Sequence, residues 1–151
     1  MNDRLRYLAV SIFVSAAWLS QPRAYAADCV WLGGIGNWTD SNWGTCLGGF
    51  PASGDTAAIG AGVVTLDQAV LIQQLSFSAG TITGNNDLGI SGLTAITGGN
   101  SVMSGTGITR ADGGLTIDGN FLDIQSTRNL VNGAGQSADW SAGGLRLLNP
   151  G

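Results

Sequence analysis

Apolar and small polar residues alternate along Gly80–Gly119, and glycine, asparagine or aspartate interrupts each short run. On a strand, successive side chains face opposite sides, so alternation lets every second residue line a core. That reading sends Ile82, Leu88, Ile90, Leu93, Ile96, Val102, Ile108, Leu115 and Ile117 inward. It leaves Thr81, Thr83, Ser91, Thr94, Thr97, Ser101, Thr109 and Thr116 on a solvated outer face. Ile, Val and Thr also suit strands because branching at Cβ restricts their side chains. An amphipathic helix would need apolar residues three and four apart, and each interior glycine would cost it about 1 kcal/mol. No such pattern follows residue 26.

The pattern repeats loosely. Gly84 to Gly105 is 21 residues, while Ile82 to Val102 is 20. Fixed periods in this range predict stacked coils, an all-β parallel solenoid. A sandwich or barrel is the rival, since short strands every 8–12 residues suit it too. Hairpin signals are scarce, which favours coils, although Asp112-Gly113 and Asp118-Gly119 count the other way. Residues 55–78 read as the first full coil, with Ile59, Val64, Leu66, Val70, Ile72, Leu75 and Phe77 in the core and Gly60, Gly62 and Asp67 at corners. Past Gly119 the pattern loosens. Phe121, Leu122, Ile124, Leu130, Val131, Trp140, Leu145 and Leu147 supply apolar positions, and Asn132-Gly133 is a turn signal. Some five coils, about 4.8 Å apart, make a rod on the order of 24 Å. The last apolar run reaches Asn149-Pro150-Gly151 without a polar cap, which predicts truncation or pairing with another chain.

The first 26 residues have a different character. Arg4 and Arg6 precede an uncharged apolar run, Leu8 to Leu19, and Ala24-Tyr25-Ala26 offers small residues where signal peptidase reads. This predicts a helical signal peptide over 1–26, cleaved after Ala26, and a secreted or cell-surface product. An uncleaved anchor is the alternative, but a run of 12 residues is short for a bilayer. The domain reading is then 1–26 leader, 27–54 N-terminal cap and 55–151 solenoid coils.

Composition narrows the chemistry. The chain has no His, Lys or Glu, and after Ala26 it carries nine Asp against Arg110, Arg128 and Arg146, a net charge of −6. Such a surface argues against binding nucleic acid through phosphates and against docking on anionic lipid. No apolar stretch after the leader approaches membrane-spanning length.

Cys29 and Cys46 form a lone close pair, which in an exported chain reads as a disulfide. Closing a loop of about 18 residues stabilises by about 3 kcal/mol in the chain-entropy model. A redox or metal pair is the other reading; the spacing is far from Cys-x-x-Cys, and no His is present. Trp31, Trp38 and Trp43 cluster around that loop, with Asn37, Asp40 and Asn42 between them. They suit a cap, because a solenoid's first coil exposes apolar core and unpaired strand edge. They also suit a carbohydrate platform, with Trp31, Trp38 and Trp43 stacking on sugar rings and Asn37 and Asp40 binding hydroxyls. Asn37-Trp38-Thr39 further matches a glycosylation acceptor.

Trp31, Gly33-Gly34, Gly36-Asn37-Trp38, Asp40, Trp43 and Pro51–Ile59, followed by the Thr-Ile-Thr-Gly and Ser-Gly-Thr-Gly segments, resemble secreted bacterial surface proteins. These are the autotransporter-passenger and haemagglutinin-type adhesins. The resemblance implies a right-handed parallel β-helix and an adhesive role, with this chain as an N-terminal portion.

Catalysis finds few candidates. Acid–base groups after Ala26 reduce to Asp and the cysteine pair. Asp112, Asp118 and Asp123 could act as paired carboxylates on a glycoside, but Asp at corners also serves turns. Asn85, Asn86 and Asp87 could meet calcium, but without the glycine-rich repeat of calcium-loaded solenoids. The expectation is a non-enzymatic exported adhesion or structural module, without cofactor or metal. Its expected partners are other coils or chains end to end, and host or matrix glycans.

Overall fold

The computed structural model describes residues 26–148, so the expected leader lies outside the described residues up to Tyr25. Regular structure among the described residues is strand throughout. The strands are β1 (Asp28–Trp31), β2 (Ile35–Asn37), β3 (Trp43–Gly44), β4 (Thr56–Ile59), β5 (Val63–Thr65), β6 (Val70–Ile72) and β7 (Gln74–Phe77). They continue as β8 (Gly80–Thr83), β9 (Leu88–Ile90), β10 (Thr94–Met103), β11 (Ile108–Ala111), β12 (Leu115–Gln125), β13 (Asn129–Asn132) and β14 (Ala138–Leu148).

The strands stack in three parallel columns. The first holds β1, β4, β7 and the leading halves of β10, β12 and β14. The second holds β2, β5, β8 and the trailing halves of the same three long strands. The third holds β6, β9, β11 and β13. Four complete turns result, β4–β6, β7–β9, β10–β11 and β12–β13, with β1–β3 before them and β14 after. Every pairing is parallel except β1 with β3. This is a β-solenoid, and the sandwich alternative falls because a sandwich is built from antiparallel hairpins and Greek keys.

Turn length grows along the chain. Thr56 lies opposite Gln74 and Val70 opposite Leu88, each 18 residues on. Ile82 lies opposite Met103 and Thr94 opposite Leu115, each 21 on. Leu122 and Leu145 are 23 apart. The longer turns carry β10, β12 and β14 around the first corner without a break.

The 21-residue spacing corrects part of the alternation. A count of 20 would place Val102 over Ile82, but Val102 lies opposite Thr81 and points outward, half-buried, while Met103 is buried. A one-residue slip exchanges the two faces. The same correction runs through the third turn: Thr94, Ser101 and Thr109, expected outside, are buried, whereas Leu93 is exposed and Ile108 only half-buried. Thr109 stands between Leu88 and Leu130 in its column. The other inward assignments of the central stretch, Ile82, Leu88, Ile90, Ile96, Leu115 and Ile117, are buried, as are all seven in the first coil.

The core is a set of ladders along the axis. Ile59, Phe77, Ile96, Ile117 and Trp140 stack in the first column. Val64, Ile82, Met103, Ile124 and Leu147 stack in the second. Glycine marks the corners because neighbouring backbones nearly touch there. Gly80 has φ +98°, and a Cβ on it would lie 2.7 Å from the Gly62 carbonyl oxygen; at Gly84, with φ +113°, it would lie 2.7 Å from that of Leu66. Only glycine takes this conformation without strain and allows so close an approach.

Candidate functional site

The two ends and the outer faces are the surfaces on which a solenoid meets other molecules. At the N-terminal end, Trp38 follows β2 directly, and its backbone N–H continues the coil by donating to the Thr65 carbonyl at 2.8 Å. Its side chain is fully buried, with Trp31 and Trp43 buried beside it. Trp43 meets Trp31 edge-on at 5.1 Å between ring centroids and lies 4.8 Å from Trp38, within the range where aromatic pairs attract. Two indoles have polar partners: Trp38 Nε1 donates to the Pro51 carbonyl at 3.0 Å, and Trp43 Nε1 to the Trp38 carbonyl at 2.9 Å. Trp31 Nε1 is buried without a partner among the described residues.

The loop over this cluster is fastened at several points. Cys29 and Cys46 are joined, tying β1 to the segment after β3. The Asp55 carboxylate accepts the backbone N–H groups of Ala27 at 2.8 Å and Ala52 at 2.9 Å. It also approaches the two sulfurs, but disulfide sulfur is not the thiolate a metal needs. Asp40 is exposed and accepts the Asn37 backbone N–H at 2.6 Å, and Asn37 is exposed beside it. Thus the cluster gathers Trp31, Trp38, Trp43 and the disulfide into one packed lid. A sugar platform needs an open indole face, and none of the three presents one.

Asp67, Asn86 and Asp87 serve the backbone. Asp67 accepts both the N–H and the hydroxyl of Thr39 one coil away. Asp87 accepts the Ile108 N–H at 2.8 Å, and the Asn86 amide donates to the Leu66 carbonyl at 2.8 Å. Two of the three residues considered for calcium therefore already bridge adjacent coils. Asp112 and Asp118 are exposed, while Asp123 is buried in a bidentate pair with Arg146, at 2.6 and 2.7 Å. That bond raises the Arg146 pKa, and the guanidinium also lies 4.5 Å from the Phe121 ring centroid. The three carboxylates proposed for glycoside chemistry thus have different surroundings.

Arg128 is the residue the pattern did not single out. It is buried, donates from Nε to the Thr109 hydroxyl at 3.0 Å, and reaches the carbonyls of Gly84 at 3.2 Å and Ser104 at 3.4 Å. It therefore laces the second, third and fourth turns. Burial pulls its pKa down to about 10, against the opposing pull of Asp87. A scarcity of cations in a Lys-free chain was the one signal that could have marked it.

The C-terminal end is open among the described residues. Leu115, Ile117, Ile124, Leu130, Leu145 and Leu147 line a groove of about 350 Å³ there. Trp140 and Leu147 on β14 are 54% and 75% exposed. Along the first column, the outer ladder runs Val30, Ala58, Ser76, Ala95, Thr116 and Asp139, small and uncharged at its four middle positions.

No family model matches this chain, and neither a curated protein nor a solved structure matches it. Among the described residues, no helix is long and apolar enough to cross a membrane.

Proposed function

We propose that the chain is a non-enzymatic structural and adhesive module of an exported protein, wound right-handed as parallel crossovers nearly always are. The observation that carries this reading is the outer ladder Ala58, Ser76, Ala95, Thr116. Small side chains on a parallel sheet make a flat surface with shallow relief and little rotamer entropy to lose on contact. Such a surface suits repeated weak contacts with an extended polymer, such as a matrix glycan, better than it suits enclosure of a small molecule. The acidic side chains support the same reading, since Asp40, Asp55, Asp67 and Asp87 hold backbone and Asp123 holds Arg146. The resemblance to autotransporter-passenger and haemagglutinin-type adhesins remains part of this proposal.

Capture of beads coated with the chain on surfaces of immobilised matrix glycans tests it. Ser76→Arg with Thr116→Arg should abolish capture while circular dichroism and the melting temperature hold. No capture on any glycan surface would refute the adhesive role. Capture that survives those changes but is lost in a folded Trp38→Ala variant would move the ligand to the tryptophans.

A further inference from the structure

We propose, resting on the reading that this is an exported chain cleaved after Ala26, that Asp55 is the receptor for the mature N-terminus. Cleavage there creates an α-ammonium on Ala27, and that ammonium pairs with the Asp55 carboxylate, so processing adds an ion pair to the lid. In the uncleaved chain Ala27 is an ordinary peptide unit whose backbone N–H donates to Asp55 Oδ1 at 2.8 Å. Ala26 is exposed, whereas Ala27 is buried. The bond between them is thus where the chain passes from solvent into the fold.

Both partners are held in place by other bonds. The Ala27 carbonyl accepts the Thr56 N–H at 2.9 Å, where the pairing of β1 with β4 begins. The Asp55 Oδ2 accepts the Ala52 N–H at 2.9 Å, and the Asp55 N–H donates to the Ala52 carbonyl at 3.0 Å. The Asp55 carbonyl accepts the Gln73 N–H at 2.8 Å, one coil on. Cutting after Ala26 therefore leaves the Ala27 nitrogen where it was and changes only its charge. A hydrogen bond between charged groups is about twice as strong as one between neutral groups. The other ammonium protons point to the side that exposed Ala26 had occupied, where water accepts them.

Charge points the same way. After Ala26 the chain has no Lys and three Arg. Among the described residues the one salt bridge joins Arg146 to Asp123, and Arg128 is bonded to Thr109 and to backbone carbonyls. Asp55 has no cationic partner among the described residues, and the new ammonium supplies one. The carboxylate also lies beside the Cys29 and Cys46 sulfurs. The ion pair therefore forms where β1, the disulfide and the loop over the tryptophans meet, and it ties the chain start to all three. A chain that still carries its leader has only the neutral amide at this point. Its lid is held less tightly than that of the exported chain.

Expression of all 151 residues in a secretion-competent host, followed by intact mass, should give a chain that starts at Ala27. Because the sequence has no Lys, the α-amine is then its only primary amine. Acetylation in urea, with the disulfide intact, changes that group alone: the charge goes and an amide N–H stays, as in the uncleaved chain. After refolding, the free-amine form should melt about 3–5 °C above the acetylated one. In Asp55→Asn the two forms should melt together. A difference of the same size in that variant would show that Asp55 is not the receptor. Should Asp55→Asn fail to fold, amine labelling of the wild type decides. The folded chain should react with an N-hydroxysuccinimide ester at least about tenfold more slowly than the chain in urea, because a neighbouring carboxylate favours the unreactive protonated amine. A chain that starts at another residue would overturn the proposal together with the cleavage reading. A chain that starts at Ala27 but melts the same with and without acetylation, or labels equally fast folded and unfolded, would overturn the ion pair alone.

Discussion

The two ends of this solenoid face the same physical problem and meet it differently. Each must deal with apolar core and unpaired backbone where the stack of coils stops. At the N-terminal end three indoles fill the opening and a disulfide holds the loop that covers them. At the other end Trp140 and Leu147 lie largely in water on a strand paired on one side only among the described residues. Tryptophan occurs at both ends, so composition does not distinguish them. What differs is whether a loop folds back over the ring. In a repeat fold, stability comes from contacts between neighbouring coils, and the lid gives the first coil contacts that β14 lacks among the described residues.

Substitutions at the two ends should separate accordingly. Trp38→Ala empties the middle of the lid and should cost about 3–5 kcal/mol, read as a lowered urea midpoint. Replacing both cysteines by serine should cost about 3 kcal/mol, seen as a fall in melting temperature that reducing agent reproduces in the parent chain. If either change were neutral, the lid would not be what anchors the fold. Arg128→Met, near the open end, strips charge-assisted hydrogen bonds from three turns and should cost about 1–3 kcal/mol. Its effect should appear as faster amide exchange in β11 and β13 before β4–β6, because the coils beside the break loosen first. Thr94→Val removes a buried hydroxyl that has no partner among the described residues and should raise stability by about 1 kcal/mol; a loss would mean that the hydroxyl is satisfied in solution. Trp140→Ala should change monomer stability by no more than about 0.5 kcal/mol. A loss comparable to that of Trp38→Ala would erase the contrast between the ends.

The third turn shows why the sequence could be read well but not completely. Its alternation predicts strands correctly, yet its inward positions include Thr94, Ser101 and Thr109. Thr is as much at home on a strand as Val, so local preference cannot say which face holds the hydroxyl. Only the 21-residue register decides, because it places Thr109 in the same ladder as Leu88. Where aliphatics alternate with few competing threonines, as over residues 55–78, face and core were both legible. Of the site residues, the bond between Cys29 and Cys46 was legible from their spacing and number. The burial of the tryptophans was one of two readings left open, since a ring that can fill a cap can equally stack on a sugar.

By itself the sequence determined the all-β class, a loose coil pattern, the position of the disulfide and most of the core. These depend on side-chain period and local backbone preference, which act between near neighbours. Tertiary structure decided the exact register, the lacing by Arg128 and the exposure of Trp140. Those depend on which residues lie one coil away, a distance of about 4.8 Å in space but some 20 residues along the chain, beyond the reach of any local pattern.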